Sequence, residues 1–308
     1  MNDFNPDMLA GVYSATFTPY APEGGVNPDM LSTIVEYHLD AGLTGFYLTG
    51  STGEAYLLTE NERKLVIETV AEANAGRGRI IAHVGHISTD VAVRLAKFAA
   101  SCGVDAISAV GTVYYGTTFA GAYRHYADIA GATDLPFIIY SLEGAGRAFD
   151  PETDIKFFDI PNVAGMKYTG TNFFQLQELM RRVDKPAVFF SGSDQHFLAG
   201  LCYGVHGCIG TTQNFAPGVF VRILELFRAG RLDEARELQA RINRVIYLMD
   251  IYENFSYRKA MMRYVGFDCG PFRKPFKPLT EDEFADLCAQ LVNLELERAP
   301  EKFGGING

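Results

Sequence analysis

Lys167 is the residue of this chain best placed to do covalent chemistry. It follows a short apolar run, residues 163–166, bounded by Pro161-Asn162 before and Thr169-Gly170 after. Such a run reads as a buried strand, which puts the lysine at the strand's carboxyl end. Burial disfavours the charged form of a lysine, and a free amine there can attack a ketone to form a Schiff base. Taken alone, the residue reads more readily as a lysine that snorkels to the surface. Tyr140 closes a second apolar run, residues 136–140. By itself it is as readily a satisfied core tyrosine, but beside Lys167 it is placed to pass a proton to or from a reacting oxygen. The turn Thr49-Gly50-Ser51-Thr52-Gly53-Glu54 carries small hydroxyls and backbone N–H groups. It is a cradle suited to a carboxylate, or a plain polar turn.

These residues need a scaffold that brings distant strand ends together. From residue 11 to residue 212 the chain repeats one beat of apolar run, turn and amphipathic stretch. Strands are expected at residues 11–19, 45–49, 79–84, 105–110, 136–140, 163–166, 186–190 and 207–211. Helical spacing covers residues 28–40, 59–73, 88–102 and 119–130. Later helices open at Pro151, run through Leu179 and Met180, and span residues 196–203. Thr59 and Glu62 have capping-box spacing.

Apolar strands alternating with helices argue for a parallel sheet covered on its outside, and eight strands close a (β/α)8 TIM barrel. A doubly wound open sheet would want a glycine fingerprint after its first strand, and residues 11–22 have none. Beyond Pro217 only helices are expected, at residues 219–227, 232–248, 252–265 and 281–296. The expected class is therefore α/β. Residues 1–215 form the barrel carrying the site, and residues 216–308 form a C-terminal helical extension packed on it. Residues 304–308 are expected to fray. In such barrels the carboxyl ends of the strands form the active face. There lie Tyr114 and Tyr115, Thr169, Gly192 with Asp194 and Gln195, and Thr211, besides the residues above.

Bulk composition narrows the function. A net charge of −10 with no basic block makes nucleic acid and anionic membranes poor partners. The first eleven residues contain Asp3 and Asp7 and no long apolar run, so no secretory leader is expected, and no later segment reaches transmembrane length. The five cysteines are scattered and odd in number, which suits reduced thiols in a cytoplasm. His83 and His86 lack a carboxylate or cysteine at ligand spacing, so neither a metal nor another cofactor is expected.

Several motifs in order carry a family likeness: Phe17-Thr18-Pro19, Gly50-Ser51-Thr52-Gly53-Glu54, Ala82-His83-Val84-Gly85, Ile138-Ile139-Tyr140 and Gly165-Met166-Lys167-Tyr168-Thr169. With Arg273-Lys274-Pro275-Phe276 they make residues 11–278 resemble the lyase family of N-acetylneuraminate lyase and dihydrodipicolinate synthase. The resemblance implies a class I aldolase-type barrel, usually tetrameric, that binds pyruvate as a Schiff base without a metal. It implies that Lys167 is the Schiff-base lysine and Tyr140 the proton shuttle. Ser51 and Thr52 would hold the pyruvyl carboxylate. Ser51 would also link Tyr140 to Tyr114 of a neighbouring subunit. Thr169, Gly192, Asp194, Gln195 and Thr211 would meet the substrate.

Within the family, Ser51, Thr169, Gly192 and Asp194 look like the N-acetylneuraminate lyase branch. The synthase branch has an arginine five residues after its strand-five tyrosine, where this chain has Ala145, with Arg147 two residues further on. Other departures touch the aldehyde half. Ser141-Leu142-Glu143-Gly144-Ala145-Gly146 replaces the family's Asn-aliphatic-Pro, Thr112 replaces a proline, and Gln195 stands where the lyase has glutamate. Gln195 still donates and accepts hydrogen bonds but carries no charge. The expected activity is cleavage of a 2-keto-3-deoxy sugar acid to pyruvate and an aldehyde. The alternatives are a 4-hydroxy-tetrahydrodipicolinate synthase, a keto-deoxy acid dehydratase, a metal-dependent aldolase or a non-catalytic binding barrel.

Overall fold

The structure is a computed structural model that describes residues 4–145, 147–252 and 254–303. The expected frayed tail at 304–308 lies outside the described residues. Eight strands form one closed barrel in sequence order: β1 Val12–Ala15, β2 Gly45–Leu48, β3 Arg79–His83, β4 Ala106–Val110, β5 Phe137–Leu142, β6 Val163–Thr169, β7 Val188–Ser191 and β8 Gly207–Gly210. Every neighbouring pair is parallel, and β1 closes the ring by pairing with both β2 and β8. The helices are α1 Pro28–Asp40, α2 Glu60–Asn74, α3 Thr89–Ser101, α4 Phe119–Ala130, α5 Pro151–Asp154, α6 Phe173–Arg182, α7 Phe197–Cys202, α8 Pro217–Arg228, α9 Leu232–Ile251, α10 Ser256–Val265 and α11 Glu281–Asn293.

Local chemistry starts these helices where it should. Asn27 accepts from the Met30 amide ahead of α1, with Pro28 in the first turn. Thr59 and Glu62 close a reciprocal capping box on α2. Period-two alternation then sorts the strand residues into two layers. Phe46, Leu48, Phe137 and Ile139 face outward into the core shared with the helices. Tyr47, Ile138 and Tyr140 face inward, where they pack with Tyr13, Ile81 and Phe190 in the barrel interior. Met166 and Tyr168 join the outer core. The position between them, Lys167, is thereby turned inside.

Element bounds depart from expectation where pairing or side-chain bonds decide. β1 stops at Ala15, well short of residue 19. β5 and β6 run on because Ser141 pairs Tyr168 and Leu142 pairs Thr169, so Lys167 lies within a strand and not beyond its end. Thr49 leaves β2 with φ of 52°. α10 starts at Ser256, not at residue 252, where the Asn254 side chain accepts from the Ser256 amide. α11 stops at Asn293, since Glu295 takes φ of 54° and the Leu296 amide turns back to the Leu291 carbonyl.

Candidate active site

Lys167 pairs in register with Tyr140 on one side and Phe190 on the other. Its side chain is 4% exposed. The amine rests 4.1 Å from the Tyr140 ring centre and 4.3 Å from that of Tyr47, a double cation–π arrangement. The two tyrosines meet edge to face at 6.1 Å, and His83 stands edge to face with Tyr140 at 6.0 Å. Tyr47 is anchored by its hydroxyl to Ser108 Oγ at 3.0 Å. Burial pushes the Tyr47 phenol well above its usual pKa, so this wall of the site stays neutral.

Above the amine opens a cavity of about 210 Å³, lined by Ser51, Thr52, Tyr140, Lys167, Gly192 and Thr211. Thr52 Oγ1 and Thr211 Oγ1 lie 2.7 Å apart, joining the ends of β2 and β8 across it. Gly192 is required by space. A Cβ there would fall 1.9 Å from Thr169 Oγ1 and 3.1 Å from Lys167 Cε. The Thr169 hydroxyl is buried without a hydrogen-bond partner among the described residues.

The turn bearing Ser51 and Thr52 is pinned at both ends. Thr49 Oγ1 donates to the His83 carbonyl at 2.7 Å, and His83 Nδ1 lies 2.8 Å from the Thr49 carbonyl. Arg63, itself buried, donates to the carbonyls of His83 and Gly85. Burial first, then the Arg63 charge, drives the His83 pKa down to about 3. The ring is neutral, with Nδ1–H donating to Thr49 and Nε2 accepting from the Val110 amide. At the far end Glu54, at φ of 62°, accepts from Lys259 Nζ at 3.0 Å and from the Arg273 amide at 2.9 Å. Both side chains of the Lys259–Glu54 pair are 1% exposed.

Asp194 and Gln195 both line the cavity. The Asp194 carboxylate is engaged below it, accepting from the Thr212 amide at 2.8 Å and Gln213 Nε2 at 3.1 Å. Burial raises its pKa, and those hydrogen bonds oppose the shift. Tyr114 is not gathered in by its own chain. It is 78% exposed and stacks edge to face on Tyr115. Arg147 is held by an ion pair with Asp154 and a 3.1 Å bond to Thr153, and it does not line this cavity.

One wall of the cavity has no signal in the sequence. Ile246, Met249 and Asp250 of α9, with Phe255 and Arg258 around the start of α10, close the cavity's outer side. Nothing in the spacing of those helices marks which face meets a barrel rim. Tyr47 is a further wall residue beyond the expected set, and its inward parity on β2 is a usable signal in the sequence. A larger cavity of about 620 Å³ lies outside the barrel between Tyr20 and α10, but it contains neither Lys167 nor Tyr140.

Known proteins share this architecture. Residues 8–293 match the Dihydrodipicolinate synthetase family. The chain is 36% identical to the N-acetylneuraminate lyase of Rhizobium meliloti (strain 1021), covering 91% of this chain and 93% of that protein. It is 33% identical to the N-acetylneuraminate lyase of Enterobacter sp. (strain 638), over 95% and 99% of the two chains. The crystal structure of N-acetylneuraminate lyase from Mycoplasma synoviae superposes with a TM-score of 0.87 at 30% identity, covering 95% of this chain and all of that one.

Proposed function

Since the chain belongs to the Dihydrodipicolinate synthetase family, we propose that it is a class I, Schiff-base pyruvate aldolase of the N-acetylneuraminate lyase type. It cleaves a 2-keto-3-deoxy sugar acid to pyruvate and an aldehyde. The observation that carries this reading is the enclosure of the Lys167 amine between two tyrosine rings at the floor of a cavity whose mouth is lined with hydroxyls.

The chemistry follows from the placement. The substrate carboxylate lies against Ser51 and Thr52, which sets the keto carbon over Lys167. The amine adds to that carbon and water leaves, giving an iminium that acts as an electron sink. Tyr140 accepts the proton of the hydroxyl on C4. The C3–C4 bond breaks, its electron pair passes into the iminium, and the aldehyde departs. The enamine left behind is protonated at C3, and hydrolysis returns pyruvate and the free lysine. Gly192, Asp194, Gln195 and Thr211 line the space left for the departing tail, with the Thr169 hydroxyl buried against Gly192. Arg147 is paired with Asp154 and offers no second carboxylate site of the synthase kind.

We further infer a cytoplasmic homotetramer acting on small molecules. The exposed Tyr114 supports this reading, as a residue available to reach Ser51 of a neighbouring subunit. Five free cysteines, scattered among buried and exposed positions, support a reducing compartment. No helix among the described residues is long and apolar enough to cross a membrane. The same reading divides the chain into a barrel unit, residues 1–215, and an extension, residues 216–308; in support, described residues of both contribute to one core cluster.

Borohydride trapping with pyruvate, read by peptide mass spectrometry, is the test. A reduced adduct on Lys167 and release of pyruvate from N-acetylneuraminate are expected. Absence of any adduct overturns the mechanism. An adduct without that release moves the assignment to another keto-deoxy acid.

A further inference from the structure

α10 presents two consecutive cations in two directions. Lys259 turns inward onto Glu54, and Arg258 lines the outer wall of the active-site cavity. The buried Lys259–Glu54 pair ties α10 to the turn that carries Ser51 and Thr52, so Arg258 is held at a fixed position relative to the carboxylate cradle. Its guanidinium lies 4.2 Å from the centre of the Phe255 ring. Among the described residues its one ion pair is a long contact from Nη2 to Asp250 Oδ1, at 3.3 Å, and the Asp250 side chain is 52% exposed. A guanidinium has five N–H donors in a planar fork suited to a carboxylate. Most of that fork is uncommitted. The other acidic group on the cavity, Asp194, is occupied by Thr212 and Gln213, and Gln195 beside it is uncharged.

We propose that Arg258 determines specificity for the far end of the substrate, and that the preferred keto acid carries a second carboxylate there, so that the aldehyde released is itself an acid. This rests on the aldolase reading above. The first carboxylate is held at Ser51 and Thr52, the keto carbon sits at Lys167, and the distal carboxylate displaces Asp250 from Arg258.

The test compares 2-keto-3-deoxy acids of matched chain length that end in a carboxylate or in a hydroxymethyl group. The kcat/KM ratio is expected to favour the acid-ended substrate, and Arg258→Leu to lower that ratio by roughly 10- to 100-fold. Arg258→Lys should fall between the two, because it keeps the charge without the fork. Asp250→Asn should lower KM for the acid-ended substrate by removing its competitor. A native preference for the neutral end, or an equal loss on both substrates in Arg258→Leu, overturns the assignment. Trapping of pyruvate on Lys167 keeps the two ideas apart. With an adduct and no change of ratio, the tail assignment alone falls. With no adduct in the unsubstituted protein, the aldolase reading falls and takes the assignment with it.

Discussion

Lys167 stands directly opposite Tyr140 in the β5–β6 register, and its amine lies over the face of that tyrosine's ring. One strand pair therefore sets the distance between the proposed nucleophile and the proposed proton carrier, with no loop between them. Elements this rigid hold reacting groups more closely than loops do. Tyr140→Phe keeps the ring beneath the amine and removes only the hydroxyl. Borohydride trapping of pyruvate should persist in this variant, while kcat for cleavage falls by about 10²- to 10⁴-fold. Loss of the adduct as well would mean that Tyr140 acts on Schiff-base formation and not only on bond cleavage.

A second expectation concerns space. Gly192 leaves room for both the Thr169 hydroxyl and the Lys167 side chain. Gly192→Ala should crowd them, at a cost of about 1–3 kcal/mol in stability. A loss of kcat of roughly 10- to 100-fold should follow as the amine is displaced. Thr169→Ala in the same chain removes the closer of the two clashes. Thermal melts and kinetics of the double variant should show partial recovery of stability without full recovery of rate.

The barrel was legible in the sequence because each strand is an apolar run closed by turn residues, and parallel strands buried on both faces write themselves that way. Lys167, Tyr140, Thr52, Gly192 and Thr211 were legible as strand-end residues, and the cavity contains all five. The wall made by α9 and α10 was not. Asp250 and Arg258, 40 and 48 positions beyond the end of β8, come to the rim through packing of α9 and α10, and helical periodicity states only that a face is covered, not by what. Glu54 and Lys259 are 205 residues apart, a separation that no local pattern spans. Tyr114 is expected at the rim from its position just after β4, but its own chain leaves it at the surface.

Acid should destabilise the fold from an unusually high pH. Burial lowers the pKa of His83 to about 3 and that of His38 to about 4, against 6.5 for a free histidine. Between those values the unfolded chain binds protons that the folded chain refuses, so stability falls as pH drops below 6.5. The slope is about 1.4 kcal/mol per pH unit for each of these histidines. His86, His125 and His206 are shifted the same way by burial and steepen it. The Glu62 carboxylate, held down to about 2 mainly by Arg273, loses its contribution only as pH falls below 4.5. Denaturant titrations between pH 7 and 5 should show this loss, and His38→Asn should make the profile shallower. A profile flat over that range would mean that the fold does not hold these histidines neutral.

The Lys259–Glu54 pair makes the sharpest double-substitution test, because it joins stability to the site. Both charges are out of water, and each is the other's compensation. Glu54→Gln keeps an acceptor for the Arg273 amide but leaves a buried ammonium unpaired, and Lys259→Met strands the carboxylate. Each single change should cost about 3–5 kcal/mol. The double variant should cost much less than their sum, giving a coupling energy read from a denaturant-based cycle. Activity should follow the turn and not the fold alone. Loosening Glu54 frees the segment carrying Ser51 and Thr52, so KM for the keto acid should rise in each stable variant more than kcat falls. Near-additive stability losses with unchanged KM would mean that the pair braces α10 without holding the carboxylate cradle.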